Sequence, residues 1–353
     1  TGYCHLRLAD REPLNFATTI MDTSHPTTRQ SGGRPVIGLI SNPHSGRNRR
    51  QLEDIGRIVA DYPDVHHRMT GDIGEVADVL AEFAAAKVDV LAINGGDGTI
   101  AGILTVLLEQ RPFVTLPRLA VLPGGTTNMN AGDVGLHGSP ARAVRRLCEW
   151  SSVERTPIET LRRPVLRITG GDGQPAVCGM AFGTGTVIQG IEYFHERINK
   201  KGIGSQFGAA AAIIRTFWGI ARRDRRFLKP VAVAVQRNEE PSGPTRDILF
   251  MLVSGLERMY FGLCPFWGSE DAPLCTTLVR DDARHFLRNM PALLRGRPNR
   301  HMSEATGYCS YNADRLQLHM DGLWALDGEL YRASTGNGPV TISNAATMTF
   351  IRV

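Results

Sequence analysis

The sequence predicts a parallel α/β domain followed by a β-sandwich domain, and three observations support this fold class. Between about residues 35 and 150, short apolar runs alternate with segments of helical periodicity, which is the pattern of βαβ units. Each apolar run in this first half stops at a loop rich in glycine and small polar residues. From about residue 156 onward, strand patterns predominate and favour an antiparallel sandwich.

The domain organisation follows from where these patterns begin and change. Residues 1–34 lack sustained periodicity and are expected to form a disordered leader, within which Met21 would be a natural start. We therefore predict a leader at 1–34, an α/β domain at 35–155 and a β-sandwich domain at 156–353. A chain of 353 residues is long enough for two domains with separate cores.

The predicted elements of the α/β domain are short and regular. The expected strands cover residues 36–40, 65–69, 88–93 and 119–122, and the expected helices cover residues 52–62, 72–86, 100–108 and 141–150. Strands that alternate with helices in this way form a parallel sheet with helices on both faces. Ligands of such sheets bind at the carboxyl ends of the strands.

The second half has strands as its main elements, interrupted by two helical segments. The expected strands cover residues 165–168, 176–182, 231–235, 248–253, 315–319 and 347–353, and the expected helices cover residues 205–222 and 283–295. An antiparallel sandwich packed on the α/β domain accounts for this pattern.

Composition excludes several classes of protein. The chain is 42% hydrophobic and 21% charged, as in ordinary folded soluble proteins, and it has neither a membrane-spanning apolar stretch nor a secretory signal pattern. A cytoplasmic protein is therefore expected. Six scattered cysteines without a C-x-x-C pair argue against a zinc ribbon and a disulfide framework. The net charge of +5 suits an acidic partner. No nucleic-acid recognition motif is present, so nucleic acid is not expected to bind.

The central motif is the turn Asn94-Gly95-Gly96-Asp97-Gly98-Thr99, which follows a predicted strand and precedes a predicted helix. Glycines allow the backbone N–H groups to approach phosphate oxygens, and the helix N-terminus adds a favourable dipole. Gly95, Gly96, Gly98 and Thr99 are therefore candidate phosphate-binding residues. The alternative is an ordinary strand-to-helix connection with a capping residue.

Two more loops of this kind follow other predicted strands. In the segment 41–46, Asn42, Ser45 and Gly46 can donate to oxygens, and Arg47, Arg49 and Arg50 supply positive charge nearby. The third loop is Pro123-Gly124-Gly125-Thr126-Thr127-Asn128. Three such loops at the ends of three strands favour one shared phosphate site over independent turns.

Four motifs in a fixed order carry a resemblance to a known family. They are Asn42-Pro43-x-Ser45-Gly46, Gly95-Gly96-Asp97-Gly98-Thr99, Pro123-x-Gly125-Thr126-x-Asn128 and Asp327-Gly328-Glu329. With these motifs the chain resembles, over roughly residues 35–353, the diacylglycerol kinase catalytic family, which includes sphingosine and ceramide kinases and bacterial soluble lipid kinases. The glycine–aspartate motif alone is shared with NAD kinases and phosphofructokinases.

The resemblance implies a fold and a reaction. The first domain would have the phosphofructokinase/NAD-kinase-like nucleotide fold, and the β-sandwich would help to form the site of a neutral lipid. ATP would lie on Asn42, Ser45, Gly46 and Arg47, on Thr70, on Gly95 to Thr99, and on Gly125, Thr126 and Asn128. Asp97 would position Mg²⁺, and Glu329 would take the proton of the lipid hydroxyl.

Some of these implied roles have alternatives. Asp97 competes with Glu329 for the role of base. Without the family, Asp327-Gly328-Glu329 could equally be a hairpin turn with solvated carboxylates. The diacylglycerol and the ceramide or sphingoid substrate classes both stay open, and the oligomeric state is not predicted.

Departures from the family pattern leave other functions open. Met129 stands where an aspartate is usual, Gly102 where a glutamate is frequent, and residues 273–282 contain no clear counterpart of a second-domain magnesium aspartate. A soluble-substrate kinase such as an NAD kinase is one alternative. A catalytically weak protein that binds lipid or nucleotide is the other.

Two segments predict contact with an anionic membrane surface. Residues 208–220 are apolar and run into a basic cluster at 222–229, and residues 284–297 alternate apolar side chains with arginines. Apolar groups with basic neighbours are typical of interfacial anchors, so peripheral membrane association is expected. For 208–229, a core helix with a solvated basic end is an equally supported alternative. The stretch 259–267 is expected either to line an acyl-chain entry or to belong to the core.

Overall fold

The computed structural model describes residues 34–48, 51–153, 158–170, 175–193 and 230–353. The predicted leader up to residue 33, Arg49, Arg50, the predicted helix 205–222 and the basic cluster 222–229 lie outside the described residues. Residues 34–353 form one compact unit. Among the described residues, no helix combines the length and the apolar character needed to cross a bilayer.

The first half is a parallel sheet covered by helices on both faces. Its strands are β1 (Ile37–Ser41), β2 (Val65–Met69), β3 (Val90–Gly95) and β4 (Arg118–Pro123), and its helices are α1 (Leu52–Ala60), α2 (Ile73–Ala85), α3 (Asp97–Gln110), α4 (Met129–Val134) and α5 (Pro140–Ser152). The strands are parallel in the order β4-β3-β1-β2. Every residue of β1 and β3 is buried, because α2 and α3 cover one face of the sheet and α1 and α5 the other.

Local chemistry explains where several of these helices begin. The Asp72 carboxylate accepts from Gly74 N at 2.9 Å and caps α2, and Ser139 caps α5 with Pro140 in its first turn. All four predicted strands and all four predicted helices of this half are present. The short helix α4 was not predicted, and α3 begins at Asp97 rather than at residue 100, so Asp97 lies in its first turn.

The second half contains mainly strands. They are β5 (Glu159–Thr169), β6 (Val177–Gly179), β7 (Ala181–Gly185), β8 (Val231–Arg237), β9 (Arg246–Ser254), β10 (Leu274–Arg280), β11 (Tyr308–Ala313), β12 (Arg315–Met320), β13 (Gly322–Leu326), β14 (Glu329–Ala333) and β15 (Val340–Arg352), with the helices α6 (Thr186–Tyr193) and α7 (Phe286–Leu294). A 3₁₀ turn at Tyr260–Gly262 follows β9. Their shared core includes Phe182, Trp324 and Ile342, and the Trp324 ring stacks on Tyr331 at a centroid distance of 4.3 Å.

The last strand joins the two halves. β15 pairs antiparallel with β5 along nearly its whole length and meets β4 in parallel at Phe350 and Leu119. Within the described residues, the strands of both halves therefore form one hydrogen-bonded system. The fold class is confirmed: a parallel α/β half precedes an antiparallel β-rich half. The predicted boundary at 155/156 falls between the described residues 153 and 158, and the domain division stays a prediction.

Candidate functional site

Three loops meet at the carboxyl edge of the parallel sheet, and hydrogen bonds join the first two. Asn42 follows β1 directly, and its backbone N–H donates to the Asn94 carbonyl in β3 at 2.9 Å. The Asn42 side chain donates to Thr99 Oγ1 at 2.8 Å, and Gly96 N donates to Ser45 Oγ at 3.2 Å. The predicted convergence of these loops is therefore present, and it follows from the parallel pairing of β1 and β3.

The third loop contacts the second through glycine. A Cβ on Gly125 would lie 2.5 Å from Gly96 Cα, so any side chain at Gly125 would push the two loops apart. Asn128 fixes this loop: its Oδ1 accepts from Gly125 N at 2.7 Å, and its Nδ2 donates to Gly125 O at 2.8 Å. Its φ of 52° lies in the left-handed region, which asparagine tolerates better than most residues. Asn128 thus shapes the loop with its side chain.

The buried side-chain amide of Asn48 links the first two loops. Asn48 donates to the Asn42 carbonyl at 2.8 Å and to the Asn94 carbonyl at 2.9 Å, and its side chain is fully buried. Asn94 in turn donates to Ser41 Oγ at 3.1 Å, and Ser41 Oγ lies 3.0 Å from His67 Nε2. Sequence reasoning missed Asn48, although an asparagine two residues beyond a glycine-bearing turn is a recognisable signal for local backbone bonding.

The loops border a cavity of about 650 Å³. This volume is within the range of small-molecule sites. Eleven of the fourteen predicted site residues line it: Asn42, Ser45, Gly46, Thr70, Gly96, Asp97, Gly98, Thr99, Gly125, Thr126 and Glu329. Arg47, Gly95 and Asn128 do not line it. The structure therefore brings most of the predicted set into one cleft, and the role of each residue stays a prediction.

Asp97 is buried at the N-terminus of α3. Its Oδ2 accepts from Thr127 Oγ1 and Met129 N, both at 3.0 Å, and its Oδ1 accepts from Asn130 N at 2.9 Å. Burial raises the pKa of this carboxyl, and the three hydrogen bonds oppose the rise. Asp97 therefore connects the glycine-rich turn to the start of α4.

Asp327 is a second buried carboxylate, and the sequence motif that contains it does not predict a role for it. It occupies the hairpin turn between β13 and β14 with Gly328, and both residues have positive φ, as Asp-Gly hairpin turns require. Its oxygens accept from Met180 N at 2.9 Å and Ala181 N at 3.0 Å. Burial, followed by the charge of Asp97, raises the pKa of Asp327 to about 8. The hairpin alternative is right about the turn and about the exposed Glu329, and it is wrong about Asp327, which is buried.

Tyr260 also faces this pair of carboxyls and was not predicted as a site residue. It lies in the 3₁₀ turn after β9 and lines the cavity. Burial, together with the charges of Asp97 and Asp327, raises the pKa of its phenol, while a hydrogen bond with Thr127 opposes the rise. The sequence offered only a weak signal, an aromatic side chain in a stretch that could equally be core.

Glu329 differs from the two aspartates because it is exposed and also lines the cavity. It is the first residue of β14, and a Cβ on Gly98 would lie 2.6 Å from its Oε1. The carboxylate therefore lies against the first turn of α3. Within the part of the chain that the structure describes, no hydrogen-bond donor contacts it, so its oxygens are available to a bound molecule.

The described residues suit Mg²⁺ only as an ion that takes few ligands from the protein. Among the described residues, no group of three or more His, Cys, Asp and Glu side chains could hold a metal ion. The carboxyls of Asp97 and Asp327 face one cleft, and their mutual repulsion would be relieved by a cation. This arrangement fits an ion that takes one or two protein carboxylates and completes its octahedron with water and phosphate, as Mg²⁺ does.

The opposite wall of the cavity is apolar. β7, α6, β9, the loop after Tyr260 and α7 provide it through Phe182, Val187, Ile191, Leu252, Leu263 and Leu293. The stretch 259–267 contributes to the cavity and to a core: Met259 and Leu263 line the cavity, and Trp267 packs against a hydrophobic core. Its role as an acyl-chain entry stays a prediction. Polar loops and carboxylates on one side and hydrocarbon on the other suit an amphiphilic ligand.

Comparison with known proteins supports the resemblance. Residues 36–158 match the model of the diacylglycerol kinase catalytic domain. The protein named "Probable lipid kinase YegS-like" from Enterobacter sp. (strain 638) is 33% identical over 111 residues, which are 31% of this chain and 37% of the relative. "Probable lipid kinase YegS" from Escherichia fergusonii is 30% identical over 120 residues, which are 34% of this chain and 40% of the relative. The chain thus spans about two fifths of the length of the curated relatives it matches.

The fold has a solved counterpart. A crystal structure of a diacylglycerol kinase from Bacillus anthracis str. Sterne matches with a TM-score of 0.55 and 18% sequence identity, covering 89% of this chain and 96% of that chain. At 18% identity, this structural similarity supports a shared fold only. The predicted resemblance to the diacylglycerol kinase catalytic family is confirmed by the family match and these relatives together.

Proposed function

Because residues 36–158 match the diacylglycerol kinase catalytic domain, we propose that this chain is an ATP- and Mg²⁺-dependent kinase that phosphorylates the free hydroxyl of a neutral lipid. One observation carries the proposal: a single cavity joins the glycine-rich loops and the carboxyl groups of Asp97, Asp327 and Glu329 to an apolar wall. A phosphate donor fits the first part and a hydrocarbon chain fits the second.

The loops would hold the phosphates of ATP. Asn42, Ser45 and Thr126 line the cavity and carry amide or hydroxyl donors, and α3 begins beside them. Backbone N–H groups at a helix N-terminus favour anions, and glycines allow close approach. Thr70 is also a lining residue, but its hydroxyl donates to Glu75 Oε2 at 2.7 Å and its backbone N–H donates to the Ser41 carbonyl at 3.1 Å, so both of these donors are already engaged.

Glu329 would be the base. It would accept the proton of the lipid hydroxyl while the hydroxyl oxygen forms a bond to the γ-phosphorus and the bond to the β–γ bridging oxygen breaks, releasing ADP. Asp97 is less suited to this role, because three donors already occupy its oxygens and it is buried. When bound, Mg²⁺ would supply neutralisation of phosphate charge, with Asp97 and Asp327 as its protein carboxyls.

The apolar wall supports a lipid substrate over a soluble dinucleotide. A soluble dinucleotide such as NAD has no hydrocarbon chain to cover Val187, Leu252 and Leu293, whereas a diacylglycerol, ceramide or sphingoid base has one. A catalytically weak binding protein was suggested by Met129, which also lines the cavity. The position of Glu329 against α3 favours catalysis over binding alone.

The decisive experiment offers labelled ATP with Mg²⁺ and, in turn, diacylglycerol, ceramide, sphingosine and NAD. We expect phosphorylation of one of the lipids and none of NAD. Glu329→Gln is expected to lower kcat by a factor of about 10² to 10⁴, the usual contribution of a positioned base. Glu239→Gln, an exposed glutamate on the β8–β9 turn, is the control and should retain activity. Wild-type turnover in Glu329→Gln would refute the assignment of the base, and labelling of NAD alone would refute a lipid substrate.

A further inference from the structure

The helix α7 connects the cavity to the protein surface. Its inner side packs on β9, where the rings of Phe286 and Phe250 lie 6.5 Å apart in an edge-to-face arrangement. Leu293 is buried, and both Leu293 and Leu294 line the cavity. One side of α7 is therefore part of the apolar wall.

The outer side of α7 is basic and carries an exposed leucine. Leu287 is 52% exposed, one of few large apolar side chains with such exposure among the described residues. Exposed cationic side chains surround it on the helix and on the two segments that flank it. They are Arg284, Arg288, Arg295, Arg297 and Arg300. We call residues 284–301 the α7 basic surface.

These cations lack carboxylate partners in the described part of the chain. None of the five arginines lies within ion-pair distance of an aspartate or glutamate there, whereas nearby Arg280 pairs with Asp282 at 2.8 Å. The cations also face one another. The pKa of His301 is lowered by partial desolvation and then by the charges of Arg300, Arg288 and His285. A cluster of unpaired positive charge is unfavourable without an external anion.

We propose that the α7 basic surface docks the protein on an anionic phospholipid membrane, with Leu287 entering the headgroup boundary and the arginines contacting lipid phosphates. The inference rests on the proposed function, since a lipid kinase has to meet its substrate at a membrane. The charge of the surface is complementary to that of an anionic leaflet, and an exposed leucine among cations is what an interfacial helix presents. Docking by this face brings the helix that lines the cavity into contact with the bilayer.

The sequence predicts two segments for membrane contact, 208–229 and 284–297, and the first lies outside the described residues. The structure adds for the second that its arginines are unpaired, that Leu287 is exposed, and that the same helix reaches the cavity.

The test measures sedimentation of the full chain with vesicles of phosphatidylcholine, with and without one third phosphatidylglycerol. The variant combines Arg288→Ser, Arg295→Ser and Arg297→Ser. The control combines Arg142→Ser, Arg145→Ser and Arg315→Ser, three exposed arginines that do not line the cavity, and it changes the net charge equally. Exposed substitutions of this kind have small effects on stability.

We expect the wild type to bind the anionic vesicles and to dissociate as salt rises above about 0.1 M, where the Debye length is about 10 Å. The triple α7 variant should bind about 100-fold more weakly, since each basic residue near an anionic surface contributes about fivefold. Leu287→Ser should weaken binding several-fold. Equal binding of the α7 variant and the wild type, an equal loss in the control, or binding to heparin without binding to vesicles would overturn the proposal.

Activity separates this proposal from the proposed function. With a short-chain diacylglycerol in detergent micelles, the α7 variant should phosphorylate lipid at the wild-type rate, because none of its three arginines lines the cavity. If the wild type binds anionic vesicles through α7 but phosphorylates no lipid, the docking surface stands and the proposed reaction fails. If lipid is phosphorylated and the α7 variant still binds vesicles normally, the docking surface alone is refuted.

Discussion

At the level of single residues, three of the carboxyl groups that line the cavity, those of Asp97, Asp327 and Glu329, differ in what surrounds them. Asp97 and Asp327 are buried and accept hydrogen bonds from backbone N–H groups, whereas Glu329 is exposed with free oxygens. The buried pair is suited to holding charge and geometry in place. The exposed group is suited to exchanging a proton with a substrate.

The contact between Gly98 and Glu329 can be tested by adding one methyl group. In Gly98→Ala, the new Cβ would lie 2.6 Å from Glu329 Oε1, so the glutamate has to move away from α3. Because misplacement of a catalytic group by about 1 Å can cost about 10²-fold in rate, we expect a loss of that order in kcat in the lipid kinase assay.

The matched control is Gly56→Ala in α1. A Cβ there meets nothing within 4 Å, and alanine is favoured over glycine in helices by about 1 kcal/mol. The control should therefore have unchanged kinetics and a slightly higher melting temperature. If Gly98→Ala behaves like the control, Glu329 does not need its position against α3.

Asp327 predicts a pH dependence of stability. Its pKa is about 8 in the folded chain, above the ordinary aspartate value of 3.8 that applies on unfolding. A carboxyl with a raised folded pKa stabilises the fold below the unfolded value, and this contribution is lost as pH rises toward about 8. We therefore expect the melting temperature in EDTA to fall between about pH 5 and 8, because the buried carboxyls then lose their protons.

The variant Asp327→Asn should flatten this dependence, because its amide does not titrate. Asp281→Asn, an exposed aspartate near the end of β10, is the control and should retain the wild-type slope. The measurement is thermal unfolding followed by circular dichroism at several pH values. An identical slope in Asp327→Asn would show that another group causes the dependence.

How far the sequence predicts these residues depends on where their partners lie. Asp97 and Glu329 were predicted because each belongs to a short motif. The burial of Asp327 depends on Met180 and Ala181, which are about 150 positions away, and the position of Tyr260 depends on the loop after β9. No local pattern contains such contacts, so only the folded chain reveals them.

At the level of elements, one buried asparagine helps to hold the loops at the carboxyl edge of the parallel sheet, where we propose that phosphate binds. Asn48 contacts the backbone of two loops, and both carbonyls lose a donor when its amide is removed. In Asn48→Ala, we expect a loss of about 1 to 3 kcal/mol in the free energy of unfolding, because two buried hydrogen bonds of about 0.5 to 1.5 kcal/mol each disappear, although each carbonyl keeps a backbone donor. The affinity for ATP should fall as well, since the two loops lose one of the contacts that fix their relative position.

Urea unfolding and ATP titration check this prediction. Gln236→Ala on β8 is the control, because the side chain of this half-buried residue makes no hydrogen bond with any residue that the structure describes. It should change neither quantity by more than a few tenths of a kcal/mol. Unchanged ATP affinity in Asn48→Ala would mean that the loops hold their geometry without the shared amide.

Elements with strong periodicity were predicted well, and the missed elements have identifiable reasons. Helix α4 has only six residues and begins after the left-handed Asn128, so it is too short to show a helical period. Strand β10 includes two fully buried threonines, and β13 begins at glycine, so neither has the alternating apolar pattern of a half-buried strand. Their places in the sheet are set by their neighbours.

At the level of the whole molecule, β15 makes the α/β half and the β-rich half parts of one hydrogen-bonded system. A buried ion pair adds to this connection: Arg163 in β5 donates to Asp133 in α4 at 2.8 Å, and Asp133 also accepts from the backbone N–H groups of Glu257 and Arg258. Those two residues begin the loop that leads to Tyr260. The pair therefore ties α4 and the Tyr260 loop to the shared sheet.

Breaking this pair is expected to destabilise the molecule as a unit. Arg163→Met leaves the Asp133 carboxylate buried without its cation, which typically costs about 3 to 5 kcal/mol, and adding Asp133→Asn should recover part of the loss.

Arg280→Met is the matched control, because it breaks a pair with Asp282 of the same 2.8 Å length at an exposed site, where such pairs contribute at most about 1 kcal/mol. Urea unfolding followed by circular dichroism and by tryptophan fluorescence should give coincident single transitions for all variants, since the halves share a sheet. Two separated transitions, or equal effects of Arg163→Met and Arg280→Met, would show that the halves are stable independently of this connection.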